Sequence, residues 1–257
     1  MSLAHRKTGE GAVVVFLHGF CENKDLWRAF EARLSAQFQT IALDLPGSGE
    51  SGANTRYQSV ETMAEEVNRT LEAERIGECV VVGHSMGGYV ALALADLHPQ
   101  RLRGLGLFHS TAYADHGEKK NTRNQTIDFI QKEGLDPFLE TFVPPLFYEG
   151  RRAAMADRIA AYRALTRQTP VATAVATTLA MRDRPDRRHV LERADFPVLF
   201  IAGRDDTALP LEANRDQFWL PKNCTVHVLA ETGHLGMYER EPETLAMVEG
   251  FARRVLG

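Results

Sequence analysis

The feature that constrains this chain most is an apolar run ending in Gly83-x-Ser85-x-Gly87, which continues into an Ala- and Leu-rich segment. Residues 79–82 have the composition of a buried strand, and residues 89–95 that of a helix. A strand that turns at once into a helix needs a tight corner, and the flanking glycines leave room for it. Because helix N–H groups favour developing negative charge there, the pattern predicts a nucleophilic Ser85. The alternative is a serine that only caps the helix.

Strand-like and helix-like segments alternate along most of the chain. Six apolar, largely β-branched runs predict strands: residues 12–17, 40–43, 79–82, 102–108, 196–201 and 225–229. Four segments with helical spacing predict helices outside the middle of the chain: residues 24–37, 59–75, 86–98 and 241–256. This alternation is typical of an α/β fold with a doubly wound, mostly parallel sheet. A chain of 257 residues fits one such domain with an insertion, or less readily two small domains.

The strand-like runs stop between residues 110 and 195. Four helix-like segments take their place, divided by short breaks that contain Pro or Gly: residues 119–133, 135–142, 151–165 and 171–181. We therefore expect an all-helical cap at residues 110–195, inserted into a core formed by residues 1–109 and 196–257.

A serine hydroxyl needs a base to take its proton and a third group to orient that base. When the serine stands at a strand–helix corner, the acid and then the histidine follow it in the chain. Asp205 and Asp206 both come directly after a predicted strand, and His234 lies in a loop between the last strand and the last helix. The residues themselves leave both aspartates open as the acid. An ordinary Asp-rich turn ahead of Pro210 is the alternative.

Attack by Ser85 on a carbonyl creates an oxyanion, which needs two N–H donors already in place. One donor is expected to be the amide of Met86, the residue after the serine. The other is expected from the loop after the first predicted strand, where we assign the amide of Phe20. Gly19 lets this backbone pass close to the substrate.

Four aromatic or imidazole side chains are candidates for contact with the substrate. The ring of Phe20 belongs to the loop just described, and His109 follows the strand at residues 102–108. His109 either faces the pocket or has a structural role. Phe142 and Phe147 belong to the predicted cap and are expected to line an apolar cavity above Ser85, although aromatics at helical spacing more often pack a cap onto its core.

Five motifs together resemble the α/β-hydrolase superfamily, and more narrowly its capped branch of small esterases and lactone or C–C hydrolases. They are His18-Gly19-Phe20, Asp44-x-Pro46-Gly47-x-Gly49-x-Ser51, Gly83-His84-Ser85-Met86-Gly87-Gly88, Gly203-x-x-Asp206-x-x-x-Pro210 and Gly233-His234. The resemblance implies that Asp206, four residues before Pro210, is the acid. It also implies acyl chemistry, because relatives that form an alkyl-ester intermediate carry Asp where this chain has Ser85.

Charge and composition indicate which kinds of partner and cofactor to expect. A net charge of −4 gives no reason to expect nucleic acid or an anionic membrane. The three cysteines form no C-x-x-C pair, and no His, Asp or Glu cluster has metal-ligand spacing, so neither a metal nor a cofactor is expected. Without a run of eighteen apolar residues or an apolar leader after Met1, we expect a cytoplasmic protein, monomeric or homodimeric, acting on a small-molecule substrate.

The expected activity is that of a serine hydrolase, of the carboxylesterase type, that cleaves a carboxylic ester, lactone or thioester through an acyl-enzyme. The same triad could instead serve C–C bond hydrolysis, perhydrolysis or a lyase reaction. A binding protein built on this scaffold is a third interpretation. A damaged triad or oxyanion loop would favour it, and the sequence contains neither.

Overall fold

The computed structural model describes residues 2–52 and 58–257, so the start of the chain at Met1 lies outside the described residues. The described residues form seven strands: β1 His5–Thr8, β2 Val13–Leu17, β3 Gln39–Leu43, β4 Cys79–His84, β5 Leu102–Phe108, β6 Val198–Gly203 and β7 Cys224–Leu229. They make one sheet in the order β1-β3-β2-β4-β5-β6-β7. Only β1 runs antiparallel to its neighbour. The doubly wound, mostly parallel sheet is confirmed.

All six predicted strands are present, with small shifts at their ends. β6 begins at Val198 and not at Phe196, because Pro197 has no N–H to give to the ladder. β1 was not predicted, since the segment His5–Thr8 is polar and carries no apolar run. It lies at the edge of the sheet, where one side of the strand has no neighbouring strand.

The described part of the chain contains eleven α-helices: α1 Arg28–Leu34, α2 Val60–Ala73, α3 Met86–Leu97, α4 Gly117–Glu133, α5 Leu135–Phe142, α6 Ala156–Thr166, α7 Val171–Asp183, α8 Arg188–Arg193, α9 Leu211–Asn214, α10 Gly236–Glu239 and α11 Glu241–Leu256. The segment predicted as one helix at 24–37 is a short 3-10 helix, Lys24–Trp27, followed by α1. The sequence did not predict α8, α9 and α10, which are short. Among the helices of residues 2–52 and 58–257, none has the length and apolar character needed to cross a membrane.

Residues 110–195, all described, form α4 to α8 with short 3-10 helices and turns, and contain no strand. We call them the helical insertion. At its neck the amide of Arg187 donates to the carbonyl of Ala112 at 2.8 Å. Farther along, the hydroxyl of Thr173 donates to the carbonyl of Gly47 at 3.0 Å. The insertion follows the predicted range, and its standing as a separate cap domain remains a prediction.

The register of the sheet brings several loops to the same edge. Leu17 at the end of β2 lies beside Gly83 in β4, and His84 lies beside Phe108 at the end of β5. Because these strands are parallel, the loops that follow β2, β4, β5, β6 and β7 all leave from the carboxyl edge. This is the edge where open α/β sheets build their ligand sites.

Candidate active site

Ser85 lies at a sharp corner between β4 and α3. Its backbone has φ 49° and ψ −114°, a combination that L-residues rarely adopt and that costs about 1–3 kcal/mol. The surrounding structure holds it there: the amide of Ser85 donates to the carbonyl of Phe108 at 3.0 Å, and its carbonyl accepts from the hydroxyl of Ser110 at 2.7 Å. A Cβ at Gly87 would lie 2.2 Å from the carbonyl oxygen of Leu17, so the corner requires glycine there.

The structure brings Ser85, His234 and Asp206 into one hydrogen-bonded chain. Nε2 of His234 lies 2.9 Å from Oγ of Ser85, and Nδ1 lies 2.7 Å from Oδ2 of Asp206. His234 and Asp206 are buried, whereas Ser85 is partly exposed. Since a carboxylate only accepts, Nδ1 of His234 carries the proton and Nε2 is free to accept from the serine hydroxyl. This arrangement can deprotonate a serine.

The choice between the two aspartates is made by geometry. Oδ1 of Asp206 accepts from the amides of Ala208 and Leu209, both at 2.9 Å, while Oδ2 faces His234. Burial opposes ionisation of this carboxyl, but the imidazoles of His234 and His109 and their hydrogen bonds outweigh it and hold the pKa of Asp206 well below its usual range. Asp205 is exposed, and its amide donates to the carbonyl of Thr232.

His109 lies behind Asp206, with its ring enclosed by protein. Its Nδ1 is 3.4 Å from Oδ2 of Asp206, and its Nε2 accepts from the amide of Gly236 at 3.2 Å. Burial lowers the pKa of His109 to about 4, so the ring is neutral near pH 7. Both nitrogens thus face protein groups, which favours a structural role over the predicted contact with substrate.

The two amides predicted to bind the oxyanion lie on adjacent loops at the carboxyl edge. Phe20 follows β2, and Met86 is the first residue of α3, beside Ser85. Within residues 2–52 and 58–257, neither amide N–H donates to a protein acceptor. Both donors are therefore available for a ligand.

Three phenylalanines form a cluster that joins this loop to the helical insertion. The ring of Phe20 meets Phe142 edge-on at a centroid distance of 5.8 Å and Phe138 at 6.3 Å. Phe138 and Phe142 stack on each other at 4.8 Å and are partly exposed. Phe138 lies one helical turn before Phe142, and both rings contact Phe20.

Phe147, the other predicted contact from the insertion, is placed differently. Its side chain is completely buried between Tyr162 and Tyr238, at centroid distances of 6.1 and 6.3 Å. This position favours packing of the insertion onto α10 over contact with substrate.

Two buried glutamates at the site were missed by the sequence analysis. Glu239 accepts from the amide of Gly233, next to His234, and from the amide of Tyr148 in the insertion, both at 2.8 Å. Glu22 lies in the loop that carries Phe20 and contacts His84. No motif marks either residue, because the only signal is that a charged side chain is buried, and burial requires the tertiary structure.

The side chains of His109, Asp206 and His234 are also close enough to be considered as metal ligands, with atoms within 4.8 Å of one another. Their contacts fit proton transfer better. His234 turns Nε2 toward Ser85, and His109 turns its own Nε2 toward the amide of Gly236.

Comparison with known proteins identifies the class. The chain matches the model of the alpha/beta hydrolase fold family over residues 12–241, and it belongs to that family. It is 31% identical over 201 residues to pimeloyl-[acyl-carrier protein] methyl ester esterase of Edwardsiella ictaluri, covering 77% of this chain and 76% of that one. A solved structure of a thermophilic esterase from Thermogutta terrifontis superposes with a TM-score of 0.94 at 29% identity, covering 99% of this chain and 94% of that one.

A third relative is longer. The chain is 29% identical over 248 residues to the dihydrolipoyllysine-residue acetyltransferase component of the acetoin cleaving system of Cupriavidus necator. The match covers 95% of this chain and 64% of that relative, so the chain spans just under two thirds of its length. Taken together, the comparisons identify a member of the alpha/beta hydrolase fold family.

Proposed function

We propose that this protein is a serine hydrolase that cleaves a carboxylic ester of a small molecule through an acyl-enzyme intermediate. The observation that carries the proposal is the hydrogen-bonded chain from Ser85 through His234 to Asp206. A serine, an imidazole and an ionised carboxylate in this order form a nucleophile, a base and a group that orients the base.

In the first half of the reaction, Oγ of Ser85 attacks the ester carbonyl while Nε2 of His234 takes the hydroxyl proton. The negative charge moves to the carbonyl oxygen, which accepts from the amides of Phe20 and Met86. The intermediate collapses, the C–O bond to the alcohol breaks, and His234 returns the proton to the departing alcohol. Asp206 stays ionised and stabilises the imidazolium.

In the second half, water attacks the acyl carbon of the ester formed on Ser85. His234 takes a proton from the water, and the second tetrahedral intermediate uses the same two amides. Its collapse breaks the bond to Oγ, and the serine recovers its proton from His234. The net change is ester plus water to carboxylic acid plus alcohol, without a cofactor.

The aromatic cluster of Phe20, Phe138 and Phe142 supports a substrate with an apolar acyl or alcohol group. Its rings belong to the proposed oxyanion loop and to α5, so the cluster lies where core and insertion meet. Partly exposed aromatic surface of this kind is typical of pockets for apolar groups. As part of the proposal, the enzyme acts in the cytoplasm, as a monomer or homodimer, on a small molecule.

The decisive test is labelling of the wild-type protein by a fluorophosphonate probe, followed by hydrolysis of a series of p-nitrophenyl esters. We expect labelling and turnover that both disappear in Ser85→Ala and persist in Ser35→Ala, which alters a partly exposed serine at the end of α1. Absence of labelling in the wild type would favour a binding protein instead. Labelling without ester turnover, but with cleavage of a vinylogous diketone, would favour C–C hydrolysis.

A further inference from the structure

Glu22 is a carboxylate in the interior of the protein, with 1% of its surface exposed. A buried charge is strongly unfavourable unless it is paired and hydrogen-bonded. Every contact of Glu22 meets that need. Oε1 accepts from the hydroxyl of Tyr162 at 2.7 Å, and Oε2 accepts from Nδ1 of His84 at 3.0 Å and from the amide of Gly19. The mechanism proposed above uses none of these groups directly.

His84 faces an acceptor on both sides of its ring. Nδ1 meets the carboxylate of Glu22, and Nε2 lies 3.1 Å from the carbonyl oxygen of His234. Since an ionised Glu22 carboxylate and a backbone carbonyl can only accept, both nitrogens then carry a proton and the ring is an imidazolium. Burial lowers the pKa of His84, but the Glu22 carboxylate outweighs it and the net direction is upward. Burial likewise raises the pKa of Glu22, and His84 reverses that direction.

This buried ion pair touches two parts of the proposed catalytic machinery. Through the amide of Gly19, Glu22 fixes the His18–Gly19 peptide. This peptide lies one residue before the N–H of Phe20, which is a proposed oxyanion donor. Through His84, the ion pair holds the backbone carbonyl of His234, the proposed base. The packing is close: a Cβ on Gly19 would lie 2.8 Å from Oε2 of Glu22 and 2.9 Å from Nδ1 of His84.

We propose that Glu22 is a positioning residue, whose ion pair with His84 aligns the Phe20 amide and the His234 backbone for the reaction at Ser85. The proposal rests on the proposed function, because the alignment matters only if Ser85 attacks a carbonyl. Tyr162 in α6 brings the helical insertion to the same carboxylate, so a hydrogen bond at Glu22 joins the insertion to the loop that carries Phe20.

Glu22→Gln tests the proposal, because it keeps the shape of the side chain and removes the charge. We expect kcat for p-nitrophenyl butyrate to fall about 10- to 100-fold, less than complete loss of one oxyanion donor. KM should change by less than about twofold, since the ester carbonyl is bound alike in the ground state. Ki for an alkyl trifluoromethyl ketone, whose adduct on Ser85 places an oxyanion in the hole, should rise in parallel with the loss in kcat.

The matched control is Glu31→Gln. Glu31 is also buried and paired, with Arg6, but it lies on α1 away from the site. We expect it to lower the melting temperature and leave kcat and Ki unchanged. Tyr162→Phe, which keeps the Gly19 and His84 contacts of Glu22, should give a smaller fall in kcat than Glu22→Gln. A folded Glu22→Gln variant with wild-type kcat and Ki would overturn the proposal.

Two further measurements cover the case in which Glu22→Gln does not fold. Gly19→Ala pushes the carboxylate aside, and the same fall in kcat and rise in Ki are expected; unchanged values would overturn the proposal. In wild-type protein, ¹⁵N NMR should show His84 as an imidazolium at about pH 8, above the ordinary pKa of histidine. A neutral His84 ring would mean that the ion pair with Glu22 is absent, which would overturn the proposal. This measurement does not depend on catalysis. It therefore tests the ion pair separately from the proposed function, which fluorophosphonate labelling of the wild type tests.

Discussion

The carboxyl edge of the sheet and the helical insertion are built differently. Helix α3, which begins at Met86 directly after Ser85, buries ten of its twelve residues, whereas α4 in the insertion buries only Ile127 and Ile130 among seventeen. Polar groups at the sheet edge are buried and paired. Individual hydrogen bonds join the insertion to the core, among them the one from the His234 amide to the Leu146 carbonyl at 2.7 Å. The difference suggests that the edge sets the chemistry and the insertion sets what enters.

The largest effect is expected at the edge. Ser85→Ala should lower kcat/KM for p-nitrophenyl butyrate by about 10⁴-fold or more, because no other group supplies the nucleophile. The melting temperature should change little, since the backbone contacts of Ser85 stay. A variant that keeps a tenth of the activity would mean that the edge does not set the chemistry through this serine.

The next effect is a pH-dependent stability at the same edge. The pKa of His109 falls from 6.5 to about 4 on folding, so between these values the unfolded chain binds more protons than the native one. Stability from this residue is therefore complete above pH 6.5 and is lost as pH falls toward 4, by about 3 kcal/mol.

Urea unfolding of the wild type and of His109→Gln between pH 7 and 4 measures this effect. The glutamine does not titrate in this range, so the free energy of unfolding of the variant should depend less on pH. Parallel curves for the two proteins would show that His109 does not stay neutral in the native state.

A substitution in the insertion should weaken substrate binding. Phe142→Ala removes a ring that meets Phe20 at 5.8 Å. We expect KM to rise about tenfold for a p-nitrophenyl ester with a long acyl chain, from the loss of apolar contact, while kcat changes little. With the acetyl ester, KM should stay close to the wild-type value. A fall in kcat with both esters would show that Phe142 contributes to the chemical step and not only to binding.

The smallest effect is expected at the contact between the insertion and the loop after β3. Thr173→Val removes the hydroxyl that donates to the carbonyl of Gly47 at 3.0 Å. Loss of this buried hydrogen bond should destabilise the protein by about 1 kcal/mol, measured by thermal unfolding. Turnover of the acetyl ester should not change. A large fall in its kcat would show that the insertion contributes to the chemistry as well as to binding.

The sequence by itself determined the mostly parallel sheet and the strand–helix corner that carries Ser85. Local patterns suffice for that: β-branched runs predict buried strands, and a serine between glycines at a strand–helix junction predicts the corner at Ser85. The chain order of serine, acid and histidine also followed from the sequence. The inferences about the strands and the corner succeed because each depends on residues close together in the chain.

Only the tertiary structure decided which side chains meet. The residues alone left Asp205 and Asp206 open and the family resemblance favoured Asp206; in the structure it is the Asp206 carboxylate that faces His234. Phe147 became a packing residue, while Phe138 joined the aromatic cluster. The Glu22–His84 pair, 62 residues apart in the chain, could not be foreseen. Burial and pairing of a charge depend on strand register and on packing across the sheet. No local sequence pattern predicts the register or the packing.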